Sequence, residues 1–166
     1  LNANAGLPWP PIISYTPSWI SKVISEDPQW RIAFLHTMGH EIGHRDHEPK
    51  PRYSLSKTPS AKTLFVNYVR ECRCDFYGME FMRIEYPQYT REDIILAKEK
   101  EANEIAKFAD NTKGTNSTHP NWSFRLDLLK KYNCFDKTVI QRIATETHFA
   151  DQQYIDELIV KALFEY

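Results

Sequence analysis

One ten-residue stretch decides how this chain folds and what chemistry it can carry: Leu35-His36-Thr37-Met38-Gly39-His40-Glu41-Ile42-Gly43-His44. His40 and His44 are four residues apart, so on a helix their side chains lie on one face, one turn above each other. Two imidazoles in that arrangement can bind one metal ion. Glu41, rotated by about 100° from His40, would lie beside the metal, where a carboxylate can take a proton from a metal-bound water. The stretch therefore predicts two metal ligands and a general base.

The residues around this stretch predict that it is helical. Its apolar side chains recur at steps of three and four, the spacing of a half-buried helix: Leu35, Met38 and Ile42. Asp27 can cap a helix whose first position is Pro28, and Pro49 cannot continue that helix. A helix over residues 28–46 is therefore expected, with both histidines of the motif on one face.

A second amphipathic helix is predicted over residues 59–86 from another apolar series. The residues of this series are Phe65, Val69, Cys72, Phe76 and Met79. A neighbouring line of the same helix carries Glu71, Asp75 and Gly78. Two carboxylates beside a buried face are costly unless a positive group lies opposite them. A zinc ion with its two histidines would be that group.

Glu71 thereby becomes the candidate third ligand. Catalytic zinc usually takes three protein ligands and keeps one position for water, and Glu71 stands on a helix that can pack against the first. Asp75, one turn further on, would accept the free N–H of a ligating imidazole. Gly78 on the same line would permit close approach of the two helices. The alternative is that Glu71 and Asp75 are ordinary acids on the wet side of the helix.

Length and charge limit the function classes. A chain of 166 residues suits one domain, for which we expect a catalytic core over residues 1–132 and a C-terminal helical extension over 133–166. With a net charge of -1 and 26% charged residues, the chain lacks a basic field for nucleic acid or an anionic membrane surface. Peptide or protein substrates are the expected partners. No apolar run approaches the roughly 18 residues of a spanning helix, so no transmembrane segment is expected.

The cysteines indicate a reducing compartment. There are three, an odd number, and Cys72 and Cys74 are too close for an ordinary disulfide within one helix. A cytoplasmic location is therefore expected, although Leu1 is not an initiator and a targeting segment could have been removed before it.

A short β segment is predicted near the N-terminus. It comprises Ile12, Ile13, Ser14 and Tyr15, and it is bounded by Pro11 and Pro17, as is typical of an edge strand. An edge strand near a catalytic metal can hold an extended peptide by strand addition, so these residues are candidates for substrate binding. The alternative is a surface ribbon without such a role.

The rest of the chain is predicted to be helical over residues 17–26, 91–110, 122–131, 137–147 and 152–165. Thr90 and Asp93 form a variant of the capping box that begins the helix at 91. The run from Lys98 to Glu101 is expected to be the solvated face of that helix. The fold class is therefore α+β, predominantly α.

The order of several motifs resembles that of the M48 (Ste24/HtpX/Oma1-like) gluzincin metallopeptidases. The motifs are Asn2-Ala3 with Ala5, Ile12-Ile13, His40-Glu41-Ile42-Gly43-His44, Glu71-x-x-x-Asp75-x-x-Gly78 and Thr118-His119-Pro120-x-x-x-x-Arg125. The match covers most of residues 2–126, whereas the metzincin pattern is excluded because its third histidine would fall on Lys50. Integral-membrane members of the family carry spanning helices that this chain lacks, so its soluble minigluzincin type is the closer comparison.

This resemblance implies a zincin-like metallopeptidase fold with a small N-terminal β element and one catalytic zinc ion. It implies that His40, His44 and Glu71 bind the zinc and that Glu41 acts as base and proton shuttle. It also suggests that His119 lies in the cleft and donates a hydrogen bond to the developing oxyanion. Arg125 would help to order the site. A histidine in a solvated loop is the alternative for His119.

The expected function is that of a zinc-dependent endopeptidase that hydrolyses peptide bonds through a water activated by Glu41. A second hypothesis is a catalytically silent or latent zinc-binding or sensor module with its cleft blocked. The C-terminal segment ending at Tyr166 is a candidate for that block. A third hypothesis, a structural helical domain with an incidental motif, predicts that the purified protein contains no zinc.

Overall fold

The computed structural model describes residues 3–6, 12–47, 60–107 and 119–164, and over these ranges the protein is predominantly α-helical. Two short strands come first, β1 (Ala3–Gly6) and β2 (Ile12–Tyr15), and they pair antiparallel with Ala3 opposite Tyr15 and Gly6 opposite Ile12. The helices of the described ranges are α1 (Pro17–Val23), α2 (Pro28–His47), α3 (Ala61–Glu85), α4 (Arg91–Ala106), α5 (Trp122–Lys131), α6 (Lys137–Glu146) and α7 (Gln152–Phe164).

The helix boundaries follow from local sequence signals. In the capping box before α4, the Thr90 side chain accepts from the backbone N–H of Asp93, and the Asp93 side chain accepts from that of Thr90. At the start of α2, the backbone N–H of Gln29 donates to Asp27 Oδ1 over 3.1 Å. The predicted ends of the helices lie within a few residues of the observed ones, except that residues 59, 108–110 and 165 lie outside the described ranges.

The core forms where α3 meets the other helices. The whole apolar series predicted on α3 is buried: Phe65, Val69, Cys72, Phe76 and Met79. Residues of α5, α6 and α7 belong to the same cluster, among them Leu128, Leu129, Ile140, Ile143 and Ile155. Phe149, before α7, stacks on Phe65 with ring centroids 4.7 Å apart. The C-terminal helices therefore share one hydrophobic core with α3.

The helices α2 and α3 carry the motif residues, and glycines at their contact determine how closely the two helices approach. A Cβ added at Gly78 would lie 2.9 Å from the backbone oxygen of His36 and 3.0 Å from its ring. A Cβ at Gly39 would lie 2.7 Å from the ring of Phe81. The two helices can approach this closely only because these positions have no side chain, as predicted for Gly78.

The expectation that the run from Lys98 to Glu101 is solvated is wrong for the two residues at its ends. Lys98 is 2% exposed and Glu101 is 3% exposed, because this face of α4 packs against α2. The Lys98 ammonium donates to the Glu101 carboxylate and, over 3.0 Å, to the hydroxyl of Thr37 on α2. These partners compensate the desolvation of the two charges, so a polar pair occupies a buried interface.

The strand pair lies beside the motif helix. It is β1 that contacts α2, while β2 pairs with β1. At the other end of the chain, α7 packs on α6. Residues 165 and 166, the end of the segment that was considered as a block of the cleft, lie outside the described ranges. Among the described helices, none combines the length and apolarity needed to cross a bilayer.

Replacing Gly78 by alanine should lower the free energy of unfolding by about 1–3 kcal/mol, because the new methyl group meets a backbone oxygen that cannot rotate away. Urea unfolding at neutral pH measures the change. The matched control is Asn103→Ala at an exposed position of α4, which should be neutral or slightly stabilising because alanine favours a helix. Equal effects of the two substitutions would contradict the close-approach explanation.

Candidate metal centre

α2 places two imidazoles side by side. The rings of His40 and His44 have centroids 4.7 Å apart and an interplanar angle of 85°. His40 is buried and His44 is partly buried, and Glu41 between them in sequence is 7% exposed. The i, i+4 spacing therefore brings both rings to one face of the helix, as the sequence predicts.

Glu71 of α3 reaches both imidazoles. Its Oε2 is 3.6 Å from His40 Nε2 and its Oε1 is 3.4 Å from His44 Nε2. Zinc bound tetrahedrally by nitrogen and oxygen at about 2.0–2.1 Å holds neighbouring donor atoms about 3.4 Å apart. Charge-assisted hydrogen bonds are shorter, about 2.7–2.9 Å. Both distances are longer than such a hydrogen bond and close to the spacing of donors around zinc, and they end on the two different oxygens of Glu71.

One donor atom from each of His40, His44 and Glu71 lies within 4.8 Å of the others, and these three residues form a group that could hold a metal ion. The donor set is two imidazoles and one carboxylate, the set found in several catalytic zinc sites. Glu71 is buried beside α2, so the alternative that it is a surface acid is wrong.

Asp75 determines which nitrogen of His40 carries a proton. Its Oδ1 is 2.9 Å from His40 Nδ1, and Asp75 is 2% exposed. A carboxylate at that distance is paired with an N–H, so the lone pair of His40 is on Nε2, which faces Glu71. Asp75 thus contacts the imidazole of His40 as expected, and its role in supporting a metal ligand stays a prediction.

Arg125 of α5 holds Asp75 in place. Its Nε donates to Asp75 Oδ2 over 2.7 Å and its Nη2 to Oδ1 over 2.5 Å, a bidentate pair. The guanidinium also stacks on the ring of Trp122, 4.1 Å from the ring centroid. Burial opposes ionisation of Asp75, yet Arg125 and His40 outweigh it and hold the pKa of Asp75 well below its usual range. The carboxylate is therefore ionised.

The pKa values of Glu71 and His40 are shifted by the charges around them. Burial alone would raise the pKa of Glu71, but the neighbouring imidazoles of His40 and His44 lower it well below its ordinary value. Burial also disfavours the imidazolium of His40, whereas Asp75 and Glu71 favour it and raise the pKa of His40. Both shifts show that this buried group of residues attracts positive charge. A cation placed among them would satisfy the same carboxylates.

His119 lies at the rim of this group. Its side chain is 61% exposed, and its Nε2 is 3.4 Å from Glu71 Oε1. It is therefore both solvent-accessible, as in the alternative of a loop histidine, and adjacent to a predicted ligand. It precedes α5, whose first turn is capped by Asn121 through the N–H of Phe124. Thr118 of the same motif lies outside the described residues.

Two residues near the centre were not predicted from the sequence. His36 is fully buried, and its Nε2–H donates to the backbone oxygen of Asp75 over 3.1 Å. Its Nδ1 has no hydrogen-bond partner among the residues that the structure describes. Cys74 lies 3.3 Å from His44 Nδ1 through its sulfur. The helical step of four from His40 back to His36 is a signal that could have identified the first.

The strand residues predicted to bind substrate have no described contact with the candidate metal centre. Backbone pairing sets Ile12, Ile13, Ser14 and Tyr15 in β2, antiparallel to β1, and β1 contacts α2. Their substrate-binding role stays a prediction.

A separate groove of about 800 Å³ lies on another face of α3, lined by residues that include Tyr77, Arg83, Arg91 and Phe135. Its lining includes none of the three predicted ligands.

Comparison of the chain with protein-family models, with curated proteins and with solved structures gave no match. The functional interpretation therefore depends on the sequence motifs and on the geometry of this centre.

Replacing Arg125 by methionine should lower the free energy of unfolding by about 3–5 kcal/mol, because the buried carboxylate of Asp75 loses its bidentate cationic partner. Adding Asp75→Asn in the same chain should recover part of that loss, and urea unfolding of the four proteins of this cycle measures it. The control is Arg83→Met, which breaks an exposed pair with Glu80 and should cost less than about 1 kcal/mol. Equal costs for the two arginines would refute the argument.

His36 should make the metal-free protein less stable as the pH falls. Burial and the charge of Lys98 hold the pKa of His36 well below its ordinary value of 6.5. Below pH 6.5 the unfolded chain therefore gains a proton that the folded chain does not, and stability falls by at most about 1.4 kcal/mol per pH unit. The His36→Gln variant keeps an N–H donor but does not titrate.

The measurement is urea unfolding between pH 7.5 and about 5, with a chelator present. Contributions of other groups cancel in the difference between wild type and His36→Gln. We expect the stability of wild type relative to the variant to decrease as the pH falls. A constant difference over that range would show that His36 is not held neutral.

Proposed function

We propose that this protein is a zinc-dependent endopeptidase of the gluzincin type. The observation that carries the proposal is the convergence of His40, His44 and Glu71, whose donor atoms lie within 4.8 Å of one another, with the second nitrogen of His40 paired to buried Asp75. If the motif were incidental on a structural helix, there would be no reason for Glu71 to lie beside both histidines or for Asp75 to contact the second nitrogen of His40.

Zinc at such a centre supplies a Lewis acid for the scissile carbonyl and lowers the pKa of a water molecule. Glu41 takes the proton from the attacking water and returns it to the leaving amine. Its position next to His40 on α2 keeps it off the ligand line but within the same turn of helix. The chain thus provides a base beside the three candidate ligands.

His119 is the proposed donor to the developing oxyanion. Its Nε2 lies close to Glu71, and its exposed ring can meet a substrate that enters from solvent. A preorganised donor aimed at developing charge contributes about 3–4 kcal/mol to transition-state stabilisation. Arg125 acts through Asp75, because it fixes the carboxylate that orients His40.

The substrate is a peptide or protein bound in extended form. The strand pair beside α2 offers backbone donors and acceptors, and β2, with Ile12 to Tyr15, is the strand to which an extended segment would add. The zincin-like fold, the M48-like family and a cytoplasmic location are parts of the same proposal. The fold and the family are supported by the order of the motifs and by the α2–α3 arrangement, and the location is proposed from the odd number of cysteines.

The decisive experiment compares wild type with Glu41→Gln. The variant should bind one zinc ion per chain like wild type and lose at least about 100-fold in the rate of peptide hydrolysis, because the general base is gone. Metal content and the cleavage of a casein-like substrate are measured on the same preparations. The control Glu92→Gln, at an exposed position of α4, should leave both unchanged.

Each alternative has its own outcome. Full activity of Glu41→Gln would refute the mechanism. Wild-type protein that binds zinc but cleaves nothing would favour the zinc-binding or latent module, and protein without zinc affinity would favour a structural helical domain. The variant Glu71→Gln separates these cases further, because it should lose zinc and activity together.

A further inference from the structure

The two histidines of the candidate centre differ in what lies behind them. Asp75 Oδ1 is 2.9 Å from Nδ1 of His40, whereas the sulfur of Cys74 is 3.3 Å from Nδ1 of His44. Cys74 and Asp75 are consecutive residues of α3, and both are 2% exposed. Each imidazole therefore has one nitrogen toward Glu71 and the other toward a buried group of α3.

The sulfur is not placed to be a ligand itself. His44 turns Nε2 toward Glu71 Oε1 at 3.4 Å, and Cys74 contacts Nδ1, the other ring nitrogen. A neutral imidazole carries one proton, so a lone pair on Nε2 requires the proton on Nδ1. That N–H then needs an acceptor, and the Cys74 sulfur, 3.3 Å from Nδ1, is placed to be one. Sulfur accepts weakly, but it favours this tautomer over the one that cannot bind metal.

We propose that Cys74 is a positioning residue for His44: its sulfur accepts the Nδ1–H and fixes the tautomer and ring orientation in which His44 binds a metal ion. This inference rests on the proposed function, because it takes the group of His40, His44 and Glu71 to be a zinc site. Cys74 would then orient His44 in the way that Asp75 orients His40.

The test measures zinc affinity directly, by competition with a chromogenic chelator, and does not depend on peptidase activity. Cys74→Ala should weaken zinc binding by about 10-fold or more, the usual effect of removing such a partner. Cys74→Ser should retain most of the affinity, because its hydroxyl can accept the same hydrogen bond. Cobalt substitution provides a second readout, since a reoriented imidazole changes the visible absorption bands of the alanine variant.

The matched control is Cys72→Ala. Cys72 is equally buried on the same helix, but it belongs to the apolar core series, so its loss should leave zinc affinity unchanged. Thermal unfolding in chelator checks that each metal-free variant is folded. If Cys74→Ala proves unstable, Cys74→Val replaces it: valine fills the space without offering an acceptor, and the zinc affinity of this variant should fall in the same way.

The outcomes separate this inference from the proposed function. Wild-type affinity in Cys74→Ala or Cys74→Val overturns the inference, and so does an equal loss in Cys72→Ala, which would point to core packing. Wild-type protein that binds no zinc overturns both the inference and the proposed function. Zinc binding without peptidase activity overturns only the proposed function, and the loss in Cys74→Ala then still supports the positioning role.

Discussion

The candidate centre depends on one buried ion pair, that of Asp75 with Arg125. A carboxylate at 2% exposure is costly alone, and the bidentate guanidinium compensates that cost. Because Asp75 is held on one side by Arg125, its Oδ1 is fixed toward Nδ1 of His40 on the other. The pair thereby joins α5 to α3 and α3 to α2. The orientation of a predicted ligand is in this way part of the tertiary structure.

Much of the fold follows from the sequence because its signals are local. Apolar spacing and capping residues such as Asp27 and Thr90 give the helices, and the i, i+4 geometry gives the face shared by His40 and His44. Glu71 and Asp75 were predicted by a physical argument about buried charge, and both prove to be buried against α2. The predicted zinc chemistry still awaits measurement.

Other features could not be predicted, for equally physical reasons. Lys98 and Glu101 have the same spacing whether they lie in solvent or in an interface, and only the packing of α4 on α2 decides between the two. The strand β1 was not predicted because Ala, Asn and Gly have low strand propensity. Cys74 belongs to a helical face that sequence spacing identifies, but its contact with His44 depends on how the two helices are rotated.

The location of the candidate ligand and of the two imidazole partners on one helix matters for transferring the centre to another scaffold. Glu71, Cys74 and Asp75 occupy a single face of α3, so a rotation of that helix would displace a ligand and both imidazole partners at once. Two helices in the right orientation would thus carry nearly the whole arrangement. They would still leave Asp75 buried and uncompensated. A unit that could be grafted onto another protein therefore has to contain three helices, including α5 with Arg125.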